Sequence, residues 1–225
     1  NPISIAHHMT EQLIAEHDVV IITFGTAWVY IDKCVPGGLV ENAKLDAVVD
    51  NCQKRPATDF TRYRLTVEDI VRAWQPILER YQDKRFIFTV SPIRHKKDGL
   101  HENQISKGIL LQAIDCLCSD VHKKVKNAIM YFPSYEIVLD ELRDYRFYAD
   151  DMLHPSTQAI NYIWERFSKT YLPGEEEQRI MREIHQYYLD SHHRMLNPDS
   201  VEAKAFAQHL EKEKIEIQKK YPWIQ

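Results

Sequence analysis

Between residues 19 and 132 the apolar residues gather into three short blocks separated by longer stretches of mixed polarity. Val19-Val20-Ile21-Ile22-Thr23-Phe24 runs without alternation from Asp18 to Gly25. A short β-branched run of this kind predicts a strand buried on both faces, at the centre of a sheet. Arg85-Phe86-Ile87-Phe88-Thr89-Val90 predicts a second strand that stops at Ser91-Pro92. Ala128-Ile129-Met130-Tyr131-Phe132 predicts a third that stops at Pro133-Ser134.

Between the blocks the apolar residues recur with helical spacing. Ile70, Val71, Trp74, Ile77 and Leu78 share one face of a helix reaching Tyr81, with Thr66 as its cap and Asp69 three residues on. Ile109, Leu110, Ala113, Ile114 and Leu117 form the inner face of a long helix over residues 105–125. Further helices are predicted over residues 4–16, 135–142 and 156–171. Residues 26–65 carry Pro36, Gly37, Gly38 and Pro56 and read as a long loop, with a hairpin as the alternative.

Strands alternating with helices predict a parallel sheet with right-handed crossovers. The expected fold is α/β, a three-layer α/β/α sandwich of flavodoxin-like type. Three strands fall one or two short of a full sheet of this class. The chain starts at Asn1 without Met, so the expectation is a piece of a longer protein. Beyond Pro173-Gly174 the composition shifts to Glu, Lys, Gln and His, with narrow apolar stripes over residues 175–190 and 199–220. The expected division is an α/β domain over residues 1–172 and a C-terminal helical extension over 173–225.

Composition narrows the function. The 225 residues carry a formal net charge of -4, which argues against a basic nucleic-acid binder. No apolar run approaches the roughly 18–20 residues of a membrane span. The 6 glycines form neither a G-x-G-x-x-G nor a P-loop, so no nucleotide cofactor is expected. Cys34, Cys52, Cys116 and Cys118 lack the paired spacing of a zinc site and read as reduced thiols of a cytoplasmic protein. No H-E-x-x-H is present, and no metal is expected.

Parallel sheets bind ligands at the carboxyl ends of their strands. Those ends carry Gly25-Thr26-Ala27-Trp28, Ser91-Pro92-Ile93-Arg94-His95 and Phe132-Pro133-Ser134. The loop Asp150-Asp151-Met152-Leu153-His154-Pro155-Ser156 is expected on the same rim. Asp151 and His154 are the strongest pair. A D-x-x-H turn lets the carboxylate reach Nδ1 and leaves Nε2 as a general base. The competing reading is a helix-cap region with a surface histidine. Arg94 suits a carboxylate or phosphate, with His95 beside it, unless Arg94-His95-Lys96-Lys97 is only a solvated basic loop. Trp28 and Tyr30 either line a sugar pocket or pack the long loop onto the sheet. Ser91 and Ser134 flank prolines outside any G-x-S-x-G or S-x-x-K setting, and read as turn hydroxyls.

Several stretches taken together resemble the GSCFA family of bacterial proteins. They are Phe24-Gly25-Thr26-Ala27-Trp28-Val29-Tyr30, Asn51-Cys52-Gln53-Lys54-Arg55-Pro56, Val90-Ser91-Pro92-Ile93-Arg94-His95, Tyr131-Phe132-Pro133-Ser134-Tyr135-Glu136, Glu141-Leu142-Arg143-Asp144-Tyr145-Arg146-Phe147-Tyr148 and Asp151-Met152-Leu153-His154-Pro155-Ser156. That family in turn resembles the SGNH (GDSL-like) hydrolases. The resemblance implies a three-layer sandwich and serine-dependent ester hydrolysis, often on acylated carbohydrate. It implies His154 as base, Asp151 as its orienting partner, and a nucleophilic Ser upstream of Asn1. It implies Gly25, and with less support Asn51, at the oxyanion hole, and Thr26, Trp28, Arg94 and His95 around the substrate. Ala27 stands where the SGNH pattern has an oxyanion Asn, and Gln53 where a His often follows Asn-Cys. The implied partner is a small-molecule or polysaccharide ester, with neither nucleic acid nor membrane. The alternatives are an inactive glycan-binding protein on the same fold, or an acyltransferase.

Overall fold

The computed structural model describes residues 2–33, 48–49, 55–120, 129–193, 197 and 200–222. The chain divides into two compact units, Asn1–Ile163 and Trp164–Gln225.

The first unit opens with helix α1 (Pro2–Glu16) and strand β1 (Val19–Phe24). Three short strands follow, β2 (Trp28–Asp32), β3 (Val48–Val49) and β4 (Phe60–Arg64). Then come α2 (Val67–Arg80), β5 (Arg85–Val90), α3 (Leu100–Asp120) and β6 (Ile129–Phe132). After β6 a single turn, α4 (Ser134–Glu136), widens into a π-helical stretch, Ile137–Leu142. Helix α5 (Thr157–Tyr171) crosses the division between the units.

The fold is mixed α/β with a parallel sheet in the order β1-β5-β6. Register places Val20 opposite Phe86, Ile22 opposite Phe88 and Phe24 opposite Val90, and Phe86 opposite Ile129. These residues face α2 and α3. Phe86, Phe88 and Val90 are fully buried against Leu78 of α2 and Leu110, Ala113, Ile114 and Leu117 of α3. Phe24, Trp74 and Phe88 form an aromatic triangle with centroids 5.2 to 5.7 Å apart, the offset geometry that aromatic quadrupoles favour. Helix α2 starts on a capping box: Thr66 Oγ1 accepts the Asp69 amide at 3.1 Å, and Asp69 accepts the Thr66 amide at 3.0 Å.

The sheet centre differs from the expectation. β5 is the central strand, and every residue after Arg85 is buried. β1 lies at the edge of this sheet, and its burial alternates, with Ile21 53% exposed. An unbroken apolar run reports side-chain type, not the number of neighbouring strands. β1 packs one face on the helices and leaves Val19 and Ile21 on the other, which composition alone does not distinguish from a central position.

The region read as a loop also differs. β2, β3 and β4 form a second, antiparallel sheet in the order β3-β2-β4. Trp28 through Asp32 pair with Arg64 through Phe60. Prolines and glycines between these strands, and the arginines alternating along β4, mask a pairing that joins residues far apart in sequence. Asp32, nearly buried, takes two bonds from Arg55 at 2.5 and 3.2 Å. Gly37, Gly38, Cys34, Cys52 and Asn51 lie outside the described residues. Helix α3 begins at Leu100, earlier than the expected residue 105, after Gly99 turns the chain with φ of 82°.

In the second unit α6 (Glu175–Ser191) and α7 (Val201–Lys220) are joined by Lys220 and Tyr221, which reach Glu183 at 2.7 and 3.0 Å. Ser200 caps α7 through the Ala203 amide. Among the described residues no helix is long and apolar enough to cross a membrane.

Candidate functional site

Residues 147–156 form a narrow excursion pinned at its base. The Ser156 amide donates to the Phe147 carbonyl and the Ala149 amide to the His154 carbonyl, each at 2.8 Å, with Tyr148 and Pro155 bridged between them. At the tip Met152 takes a left-handed backbone, φ 61°. Asp151 organises this turn. Its Oδ1 accepts the amides of Leu153 at 2.9 Å and His154 at 3.0 Å, and its Oδ2 lies 2.5 Å from His154 Nδ1.

These bonds hold the Asp151 carboxyl down at about 2, the His154 amide first, then the His154 ring, then the Leu153 amide. An ionised carboxylate only accepts hydrogen bonds, so Nδ1 carries the proton. The neutral ring then keeps a lone pair on Nε2. The imidazole side chain is 57% exposed, so an incoming hydroxyl can reach it. The turn thus fixes both the orientation of the ring and the nitrogen that faces the carboxylate.

Arg94 joins the end of β5 to this turn. Its amide donates to the Leu153 carbonyl and its guanidinium to the Met152 carbonyl, both at 3.4 Å. The guanidinium lies 4.0 Å from the centre of the Tyr148 ring. His95 is fixed by its amide, which donates to Asn103 Oδ1 at 2.9 Å. Its ring turns toward Gly25, where an added Cβ would stand 3.8 Å from Nε2. Burial lowers the His95 pKa, with the positive charge of Lys107 acting in the same direction.

Helix α3 supplies residues that sequence reasoning missed. Lys107 is 1% exposed, and its Nζ donates to the carbonyls of Gly25 at 2.5 Å and Ser91 at 2.6 Å. Burial pushes its pKa down to about 8. Ser106 Oγ accepts the Ala27 amide at 2.7 Å and meets Thr26 Oγ1 at 3.1 Å. Thr26 Oγ1 in turn accepts the Trp28 amide at 3.2 Å. The ends of β1 and β5 are therefore cross-linked from one helix. The signal was present: Asn103, Ser106, Lys107 and Leu110 stand at i, i+3, i+4 and i+7, continuing the buried stripe back toward the helix start. Three of the four are polar or charged, and Asn103 precedes residue 105, so an apolar stripe beginning there does not contain them.

Trp28 lies beneath Arg62, whose guanidinium is 4.6 Å from the ring centre and pairs with Asp98 at 2.7 Å. Arg64 pairs with Glu102 at 2.5 Å. These contacts fasten the small sheet to the start of α3. Both candidate serines use their hydroxyls locally. Ser134 Oγ donates to the Val90 carbonyl at 2.7 Å and receives Thr89 Oγ1 at 2.6 Å. Ser91 Oγ accepts the Ile93 amide at 3.2 Å. Asn51 lies outside the described residues. Among the described residues no group of three or more His, Cys, Asp or Glu is placed to hold a metal ion.

The family model described as GSCFA family matches residues 2–167. The chain belongs to the GSCFA family. No curated protein and no solved structure matches it. The GSCFA match spans the parallel sheet, the buried polar face of α3 and the Asp151–His154 turn, and it stops before α6.

Proposed function

We propose that this GSCFA chain carries the base of an SGNH-like serine ester hydrolase acting on O-acylated carbohydrate. The observation that carries the reading is the 2.5 Å contact between Asp151 Oδ2 and His154 Nδ1 on an exposed turn. In this reading His154 Nε2 takes the proton from a serine hydroxyl as the oxygen attacks the ester carbonyl. Asp151 orients the ring and stabilises the imidazolium that forms. His154 then returns the proton to the leaving alcohol, and by the same exchange activates a water that cleaves the acyl-serine, releasing the acid and restoring the hydroxyl. The serine lies upstream of Asn1, and Gly25 and Asn51 contribute to the oxyanion hole. Thr26, Trp28, Arg94 and His95 surround the substrate. The hydrolase domain covers residues 1–172, with 173–225 as its helical extension. Free Cys116 and Cys118 fit a reducing, cytoplasmic setting.

One observation favours a second reading. Ala27, at the position of the expected oxyanion Asn, is fully buried, and its amide is taken by Ser106. An oxyanion donor is worth roughly 10²–10³ in kcat. A glycan-binding protein that has lost catalysis therefore stands as the alternative. Fluorophosphonate labelling of the full-length protein decides between them. The hydrolase reading expects a labelled serine in the wild type and loss of label in His154→Ala. A folded wild type that takes no label and still binds glycan would overturn it.

A further inference from the structure

Beside the Asp151–His154 turn lies a small depression of about 150 Å³. Val138, which is buried, Leu139, Tyr145 and Tyr148 line it. Two arginines, Arg94 and Arg143, also line it. Among the described residues neither guanidinium has a carboxylate at ion-pairing distance. The one acid on the rim, Asp144, is engaged by Arg146 through its amide at 3.0 Å and its guanidinium at 3.2 Å. The Tyr148 hydroxyl is buried and has no hydrogen-bond partner among the described residues. Two cations lining one small depression, with no carboxylate paired to either among the described residues, are an arrangement that suits an acceptor-rich anion.

Arg143 adds a second, independent observation. It ends the π-helical stretch Ile137–Leu142 in the left-handed region, φ 49° and ψ 13°, with its amide on the Val138 carbonyl at 3.1 Å. Glycine or asparagine usually takes such a cap, because a Cβ is strained there. An arginine bears that strain at a position where its side chain lines the depression.

We propose that this depression binds an anionic group, a carboxylate or phosphate, carried on the ring of the substrate. Arg94 and Arg143 hold the anion, and the exposed ring of Tyr145 packs against the substrate ring. The guanidinium fork suits both oxyanions, and the apolar lining suits the ring. Arg94 is bonded to the Leu153 and Met152 carbonyls, which ties the anion-holding arginine to the turn that carries His154. The proposal rests on Asp151 and His154 as the reacting pair, and it makes the ester substrate an acidic rather than a neutral sugar derivative.

The test is binding without any ester, by calorimetry and by the side-chain Nε–H resonances of Arg94 and Arg143. The probes are glucuronate, glucose 6-phosphate and neutral methyl glucoside. One or both acidic probes are expected to bind and shift both resonances, the tighter one naming the anion, while the neutral probe does neither. Arg143→Gly is expected to weaken the acidic probe by about tenfold or more. Its melting temperature is expected to hold or rise, because glycine relieves the left-handed cap. Equal binding of the neutral probe, no binding of either acid, or unchanged affinity in Arg143→Gly would overturn the proposal. Acid binding without serine labelling would count against the hydrolase reading alone.

Discussion

The ammonium of Lys107 sits 2.5 Å from the carbonyl oxygen of Gly25, buried at the end of the parallel sheet. Folding takes a lysine with an ordinary pKa of 10.5 and holds it at about 8. The unfolded chain therefore binds more protons between those values, and stability from this residue rises as pH climbs through that window. Below pH 8 the whole penalty is present, about 3 kcal/mol at 1.36 kcal/mol per pKa unit. Lys107→Met removes it. Of the neighbouring titratable groups, burial moves His95 down from 6.5 and Tyr135 up from 10.0, and both remain in the variant, so they add the same background to each curve. Urea unfolding of both proteins between pH 8 and 9.5 should show wild-type stability gaining on the variant. Parallel curves would show that Lys107 does not titrate as described.

Asp151 shares that pH slope, but its contribution is favourable. Its carboxyl is held at about 2, below its ordinary 3.8, so its contribution is complete above pH 4 and fades as pH falls toward 2. Asp151→Asn keeps an oxygen for the Leu153 and His154 amides but gives up the charge that fixes Nδ1–H. The fold should survive, and the melting-temperature gap between wild type and variant should close as pH drops from 4 to 2. On the hydrolase reading the rate falls by roughly 10⁴, the scale known for a lost histidine tautomer. An unchanged rate would show that Asp151 serves the turn alone.

The capping box on α2 allows a stability test far from the rim. Thr66 Oγ1 satisfies the Asp69 amide, and Asp69 also takes the Tyr63 hydroxyl at 3.0 Å. Thr66→Ala should cost about 1 kcal/mol in urea unfolding. Asp69→Ala should cost more, since it frees the Thr66 amide and the Tyr63 hydroxyl together. Equal costs would mean that Tyr63 gains nothing from its bond.

Local chemistry was readable where neighbours in sequence are neighbours in space. The Thr66 cap, the stripe of α2 and the Asp151–His154 turn are all of this kind, and each was legible from spacing. Features set by distant partners were not. Ile21 and Ile87 face each other in register, yet one is 53% exposed and the other 3%, because only Ile87 has strands on both sides. The pairing of Trp28 with Arg64 crosses a proline- and glycine-bearing segment and left no local periodicity long enough to notice. Lys107 and Ser106 are polar residues on an inward face, and a search for apolar stripes passes over them. Their partners, Gly25 and Ala27, are about eighty positions away.

Ser134 supplies the sharpest check on which serine is chemical. Its hydroxyl gives its only proton to the Val90 carbonyl and accepts from Thr89, and the residue is 7% exposed. A nucleophile must be free to surrender that proton to a base. Ser134→Ala should therefore leave fluorophosphonate labelling of the full-length protein intact. It leaves a buried carbonyl and a buried threonine hydroxyl each short of a partner, at a cost of roughly 1–3 kcal/mol. The expected result is a lower unfolding midpoint with undiminished label. If the label disappears while circular dichroism stays native, Ser134 is the reactive serine. The nucleophile then lies within this chain, and the assignment of an upstream serine fails.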